Sequence, residues 1–130
     1  MVQRAEQRGL EEFEGVVEDI QFETGIEDRR QYHLIIDATS IEVGGATGKI
    51  HEWIPMSPKC TEEIVPQQSV MDRFLQQLEI VISAAKKANT VKDAFGLMKG
   101  KKFKFKRLKL GKDFEGHSAK EYIVPVALLE

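Results

Sequence analysis

The side chains of this sequence best suited to chemistry are cations and flat rings. From Lys99 to Lys112, eight Lys and Arg residues fall among Phe103, Phe105, Leu108 and Leu110 with no acidic side chain between them. The whole chain carries 19 Lys+Arg against 21 Asp+Glu, so outside this run 11 cations face 21 acids over 116 residues. Segregated charge marks a surface for an anionic partner, because clustered like charges build a field that interspersed charges cancel. Lys104, Lys106, Arg107, Lys109 and Lys112 are the candidate phosphate contacts. Arg29 and Arg30 form a second basic pair, preceded by Glu27 and Asp28. Rings supply the other half of nucleic-acid chemistry, since stacking an unpaired base on an aromatic side chain is worth about 1–3 kcal/mol whatever the base. Trp53, the one tryptophan, leads the candidates, followed by Tyr32 and Phe114.

Each candidate has a structural alternative. Trp53 shares the more polar parity of its strand with His51, but tryptophan also fills cores. Phe114 sits in a polar loop, where an aromatic either covers a ligand or caps the end of the fold. Phe103 and Phe105 alternate with Lys102, Lys104 and Lys106, which points the rings inward and the lysines outward.

Catalytic patterns are missing. There is no nucleophile elbow or paired-histidine motif, and the run Gly44-Gly45-Ala46-Thr47-Gly48-Lys49 lacks both the spacing and the following helix of a phosphate-binding loop. Cys60 is the sole cysteine, so it cannot form an internal disulfide, and three scattered histidines offer no zinc-type spacing. The expectation is a non-enzymatic protein without metal or cofactor.

The elements that must position these residues follow from periodicity. Residues 1–12 are polar and mixed in charge and read as a flexible arm, leaving 13–130 as one domain, the size expected for 130 residues. Phe13 to Phe22 alternates as a strand, with Gly15 where it can bend. Gln31 to Ile41 is β-branched and apolar on both parities, a buried second strand, and Lys49 to Met56 forms a third after the glycines at 44, 45 and 48. Pro55, Pro58 and Pro66 hold off regular structure until Ser69, an N-cap with Asp72 three residues on. The apolar spacing Met71, Phe74, Leu75, Leu78, Val81, Ile82, Ala85 predicts one helix ending near Ala88 or Asn89. Thr90 with Asp93 caps one further turn closed by Gly96. Lys99 to Leu110 is the fourth strand, with a parity change that predicts a bulge at Lys106 or Arg107, and Glu121 to Leu129 is the fifth.

Five strands with one main helix between the third and fourth match the element order of the five-stranded OB-fold barrel; an α+β roll is the alternative architecture. Composition agrees with a folded chain, at 42% hydrophobic and 31% charged residues. No apolar run approaches the roughly 20 residues of a membrane span, and the first residues lack the apolar region of a secretory signal, so a cytoplasmic protein without membrane contact is expected.

Three segments strengthen this reading: Phe13-Glu-Gly-Val-Val-Glu-Asp-Ile20, Tyr32-His-Leu-Ile-Ile-Asp37 and Leu97-Met-Lys-Gly-Lys-Lys-Phe103. In them the chain resembles the single-domain OB-fold proteins that bind single-stranded DNA in archaea and phages, related in plan to the domains of replication protein A. The resemblance implies a single-stranded DNA or RNA ligand lying across strands two and three, gripped by the loops joining strands one to two and four to five. In a barrel of this kind strand four pairs with strand one, whose Glu14, Glu18 and Asp19 would neutralise part of the basic strip. The competing expectation is a protein-interaction module docking on a partner or on a second copy of itself, supported by the acidic remainder of the chain.

Overall fold

Alternation builds the sheet. In strand β1 (Glu12–Thr24) Phe13, Gly15 and Val17 turn inward, and in β2 (Arg30–Ala38) Tyr32, Leu34, Ile36 and Ala38 do the same. In β3 (Lys49–Met56) the inward set is Ile50, Glu52, Ile54 and Met56. Helix α1 (Val70–Val81), a 3₁₀ helix (Ser83–Lys87) and α2 (Val91–Gly96) follow, before β4 (Lys102–Lys109) and β5 (Glu121–Leu128). The computed structural model describes residues 12–25, 27, 29–38, 48–111 and 120–129. The ladders are antiparallel and the sheet order is β3-β2-β1-β4-β5, so β4 pairs with β1 as expected.

The expected closed barrel is not formed. Among the described residues no ladder joins β3 to β5, although the two edges meet at Glu52, a buried carboxylate only 7% exposed. Its Oε2 accepts from the Ile123 N–H at 3.0 Å and its Oε1 from the Trp53 N–H at 2.9 Å. Those two amides therefore point out of their own ladders. Pro55 and Pro125 lie two residues further on and share the same edges, where proline has no N–H to offer. The seam is thus bridged by a side chain where backbone donors are missing. The Pro125 carbonyl on that edge accepts from Gln77 Nε2 of α1 at 3.1 Å.

Gly15 owes its place to crowding rather than to a bend. A Cβ there would stand 2.6 Å from Ile36 Cγ2 and 3.0 Å from the Asp37 carbonyl oxygen. The irregularity in β1 falls instead between Val17 and Asp19, leaving Glu18 as the extra residue. The bulge expected at Lys106 or Arg107 also lies elsewhere. Lys104 pairs with Ala127 and Phe105 with Pro125, so Val126 of β5 is the extra residue, next to the proline that interrupts the ladder.

Ser69 Oγ accepts from the Asp72 N–H at 3.1 Å and Thr90 Oγ1 from the Asp93 N–H at 3.0 Å, as the capping patterns predict. The helix expected to reach Ala88 stops at Val81. Ile82 turns extended (φ −127°, ψ 99°) while its N–H still bonds the Leu78 carbonyl, and Ser83–Lys87 continues as a 3₁₀ helix. Val81 at the end of α1, Ile82 at its extended cap and Ala85 in the 3₁₀ helix all still reach the core. An aromatic column ties the helices to the sheet: Tyr32 of β2 stacks on Phe95 of α2 at 4.6 Å, and Phe95 on Phe74 of α1 at 5.2 Å. No described helix is long and apolar enough to cross a membrane.

Candidate functional site

The β2–β3 register sets His33 opposite Trp53, both on the outer face because Tyr32 and Ile54 face inward. The rings of His33 and Trp53 stack at 4.5 Å and 18°, and His51, two residues before Trp53, lies 5.9 Å from it at 19°. Glu23 at the end of β1 anchors the group. Its Oε1 accepts from Trp53 Nε1 at 3.1 Å and from Gln31 Nε2 at 3.1 Å, and its Oε2 lies 2.8 Å from His33 Nδ1. An ionised carboxylate only accepts, so His33 Nδ1 donates to Glu23, and on its other side His33 Nε2 lies within hydrogen-bond distance of His51 Nδ1, 2.7 Å away. Partial burial opposes ionisation of Glu23, but the hydrogen bonds from His33, Gln31 and Trp53 outweigh it and hold the carboxyl below its ordinary value. The result is a braced aromatic surface with Trp53 38% exposed. A ring so held loses little freedom when a flat ligand stacks on it.

The other candidate residues fare differently. Tyr32 is only 3% exposed, and its hydroxyl donates to Glu62 Oε2 at 2.5 Å. It is a core residue, which corrects its expected stacking role; burial and the neighbouring Glu62 carboxylate raise its phenol well above the usual value. Arg30 turns back on the chain, Nη2 donating to the Cys60 carbonyl at 2.6 Å and the Ser57 carbonyl at 3.3 Å, so it braces the segment after β3 rather than a ligand. Arg29 is exposed at the β1–β2 turn, which the Gly25 N–H closes onto the Arg29 carbonyl at 2.6 Å. Lys112 and Phe114 lie outside the described residues.

The β4 lysines do point outward and do meet β1, as expected. Lys102 lies 3.7 Å from Glu14, and Lys104 and Lys106 lie 3.4 and 4.0 Å from Glu12, a residue assigned by sequence to the flexible arm. Glu18 turns to Lys49 at 2.7 Å, and Asp19 to Lys99 at 3.4 Å. These pairs are largely solvent-exposed and individually weak, so a phosphate can replace the carboxylate at little cost. Arg107 is half-buried and Lys109 exposed further along β4.

A groove of about 610 Å³ opens on the other side of the β1 end, lined by Ile20, Phe22, Tyr32, Glu62, Lys92 and Lys99 among others. Phe22 is 50% exposed there, edge-on to Tyr32 at 5.3 Å. Cys60 is buried, and burial raises its thiol above the usual value despite the nearby Arg30. Compared with known proteins, the chain matches no family model and no curated protein.

Sequence reasoning passed over Glu23 and His33. The available signal was parity: Gln31 and His33 alternate with Tyr32 and Leu34, but Ile35 on the outer set made both faces look apolar.

Proposed function

We propose that the protein is a non-enzymatic single-stranded nucleic-acid-binding module of the OB type, with DNA preferred and the sheet open along the β3–β5 seam. The observation that carries this reading is the exposed Trp53 ring, stacked on His33 and tied to Glu23 on the outer face of β2–β3. Bases would stack on Trp53 and His51. Phosphates would be met by Arg29 at the neighbouring turn and by Lys104, Lys106, Arg107 and Lys109, with Lys104 and Lys106 exchanging Glu12 for phosphate as they bind.

The test is fluorescence anisotropy of a labelled oligothymidine, with single-stranded RNA and duplex DNA alongside, at several salt concentrations. Saturable single-strand binding that weakens steeply with salt and quenches Trp53 emission is the expected outcome. Replacing Trp53 with Ala should weaken binding by about 1–3 kcal/mol while leaving the melting temperature nearly unchanged. Equal losses of stability and affinity would assign Trp53 to the core instead.

A second reading, docking of a protein partner or a second copy, is favoured by Phe22 standing exposed beside its groove. Absence of oligonucleotide binding at low salt together with a dimer in light scattering, lost on changing Phe22 to Lys, would establish it.

A further inference from the structure

His33 Nε2 and His51 Nδ1 face each other at 2.7 Å on the outer face of the sheet, and behind them Glu23 Oε2 holds His33 Nδ1 at 2.8 Å. A carboxylate on the far nitrogen of a histidine fixes its tautomer and turns the other nitrogen's lone pair outward, the outer-shell arrangement that metal-binding histidines use. We propose that His33 and His51 form a two-imidazole site for a borderline divalent transition metal ion, Cu²⁺ ahead of Zn²⁺, with Glu23 as the residue that positions His33. The site shares His51 and Trp53 with the proposed base-stacking surface, but metal binding is read in the protein alone and does not require nucleic acid.

Three features support it. With metal–nitrogen bonds of about 2.0–2.1 Å, two adjacent imidazole nitrogens stand about 2.9 Å apart on a tetragonal Cu²⁺ and about 3.3 Å apart on a tetrahedral Zn²⁺, so the pair needs to open by at most about half an ångström. That movement falls to His51, whose exposed ring can turn, while His33 is held by Glu23 and by the Trp53 ring stacked on it. Proton balance is also simple. In the neutral pair His33 keeps its Nδ1 proton on Glu23, and His51 moves its proton from Nδ1 to the solvent-facing Nε2, so both ligand nitrogens present lone pairs with no net proton release. Imidazole donors and the Irving–Williams order select copper over zinc, and hard Mg²⁺ or Ca²⁺ would not compete. Among the described residues no group of three His, Cys, Asp or Glu side chains is placed to hold a metal, so water would complete the coordination of this two-ligand site.

The protein carries its own reporter, because its one tryptophan lies 4.5 Å from the His33 ring and 5.9 Å from that of His51. Bound Cu²⁺ should quench Trp53 emission, saturating at one equivalent in the micromolar range, and Zn²⁺ should displace it only in large excess. Changing His51 to Ala should weaken the quenching midpoint by about tenfold or more, with an unchanged melting temperature showing that the fold survives. Changing His117, the third histidine, to Ala should leave the midpoint where it was. In the unmodified protein Zn²⁺ should raise the melting temperature, and the His51→Ala protein should lose that rise. Quenching that never saturates, that survives the loss of His51, or that disappears with His117 would overturn the proposal.

Discussion

At the scale of single residues, position in the pleat decides between chemistry and packing. Tyr32 and His33 are adjacent in sequence, yet one joins the aromatic column with Phe95 and Phe74 and the other braces Trp53 outside. The Tyr32 hydroxyl donates to Glu62, whose Oε1 also accepts from the Lys92 N–H at 2.8 Å, so it helps tie the segment before α1 to the start of α2. Replacing Tyr32 with Phe removes one hydrogen bond to a half-buried carboxylate and should cost about 1 kcal/mol in a denaturant melt. Oligonucleotide affinity should not change; a loss matching that of Trp53→Ala would return Tyr32 to the site. The outward direction of Trp53 was half legible, since its parity with His51 was visible. The carboxylate that holds it, 30 residues earlier, was not.

At the scale of elements, the caps show what local sequence can specify. Ser69 with Asp72 and Thr90 with Asp93 start the two α-helices because the bonding groups lie within one turn of each other. The end of α1 depends on more than local spacing, because the extended Ile82 and the 3₁₀ helix after it deliver Ile82 and Ala85 to the core as a continued α-helix would. Close approach was likewise invisible: Gly15 suggests a bend in sequence and turns out to make room for Ile36. Changing Gly15 to Ala should therefore destabilise by about 1–3 kcal/mol, the cost of overpacking between β1 and β2, in equilibrium unfolding. A neutral or stabilising result would mean that Ile36 can move aside freely.

At the scale of the whole molecule, charge and closure are settled together. Pairing β4 against β1 neutralises much of the basic strip, and Glu52 rather than a ladder bridges β3 and β5. The core also makes stability pH-dependent. Burial raises the phenols of Tyr32 and Tyr122, with Glu62 adding to the first and Glu52 to the second. A raised folded-state value means that the unfolded chain loses its phenolic protons first. Their contribution is thus fully present below the ordinary tyrosine value of about 10 and is lost as pH rises beyond it. Thermal melts should show falling stability above about pH 10, with Tyr32→Phe flattening the fall. An unchanged alkaline limb in that variant would assign the effect elsewhere.

The sequence by itself determined the strands, the helix starts, the inward Phe103 and Phe105 and the outward lysines of β4, because each depends on periodicity or on partners within a few residues. Only the tertiary structure decided that Tyr32 is core, that Arg30 braces its own chain, that Glu12 joins the ion pairs and that the sheet stays open at two prolines. It alone also brought Glu23, His33, His51 and Trp53 from three strands into one cluster. Those outcomes hang on register and on which edges meet. Both are set by contacts between distant segments, and a shift of one residue would turn every side chain of a strand to the other face.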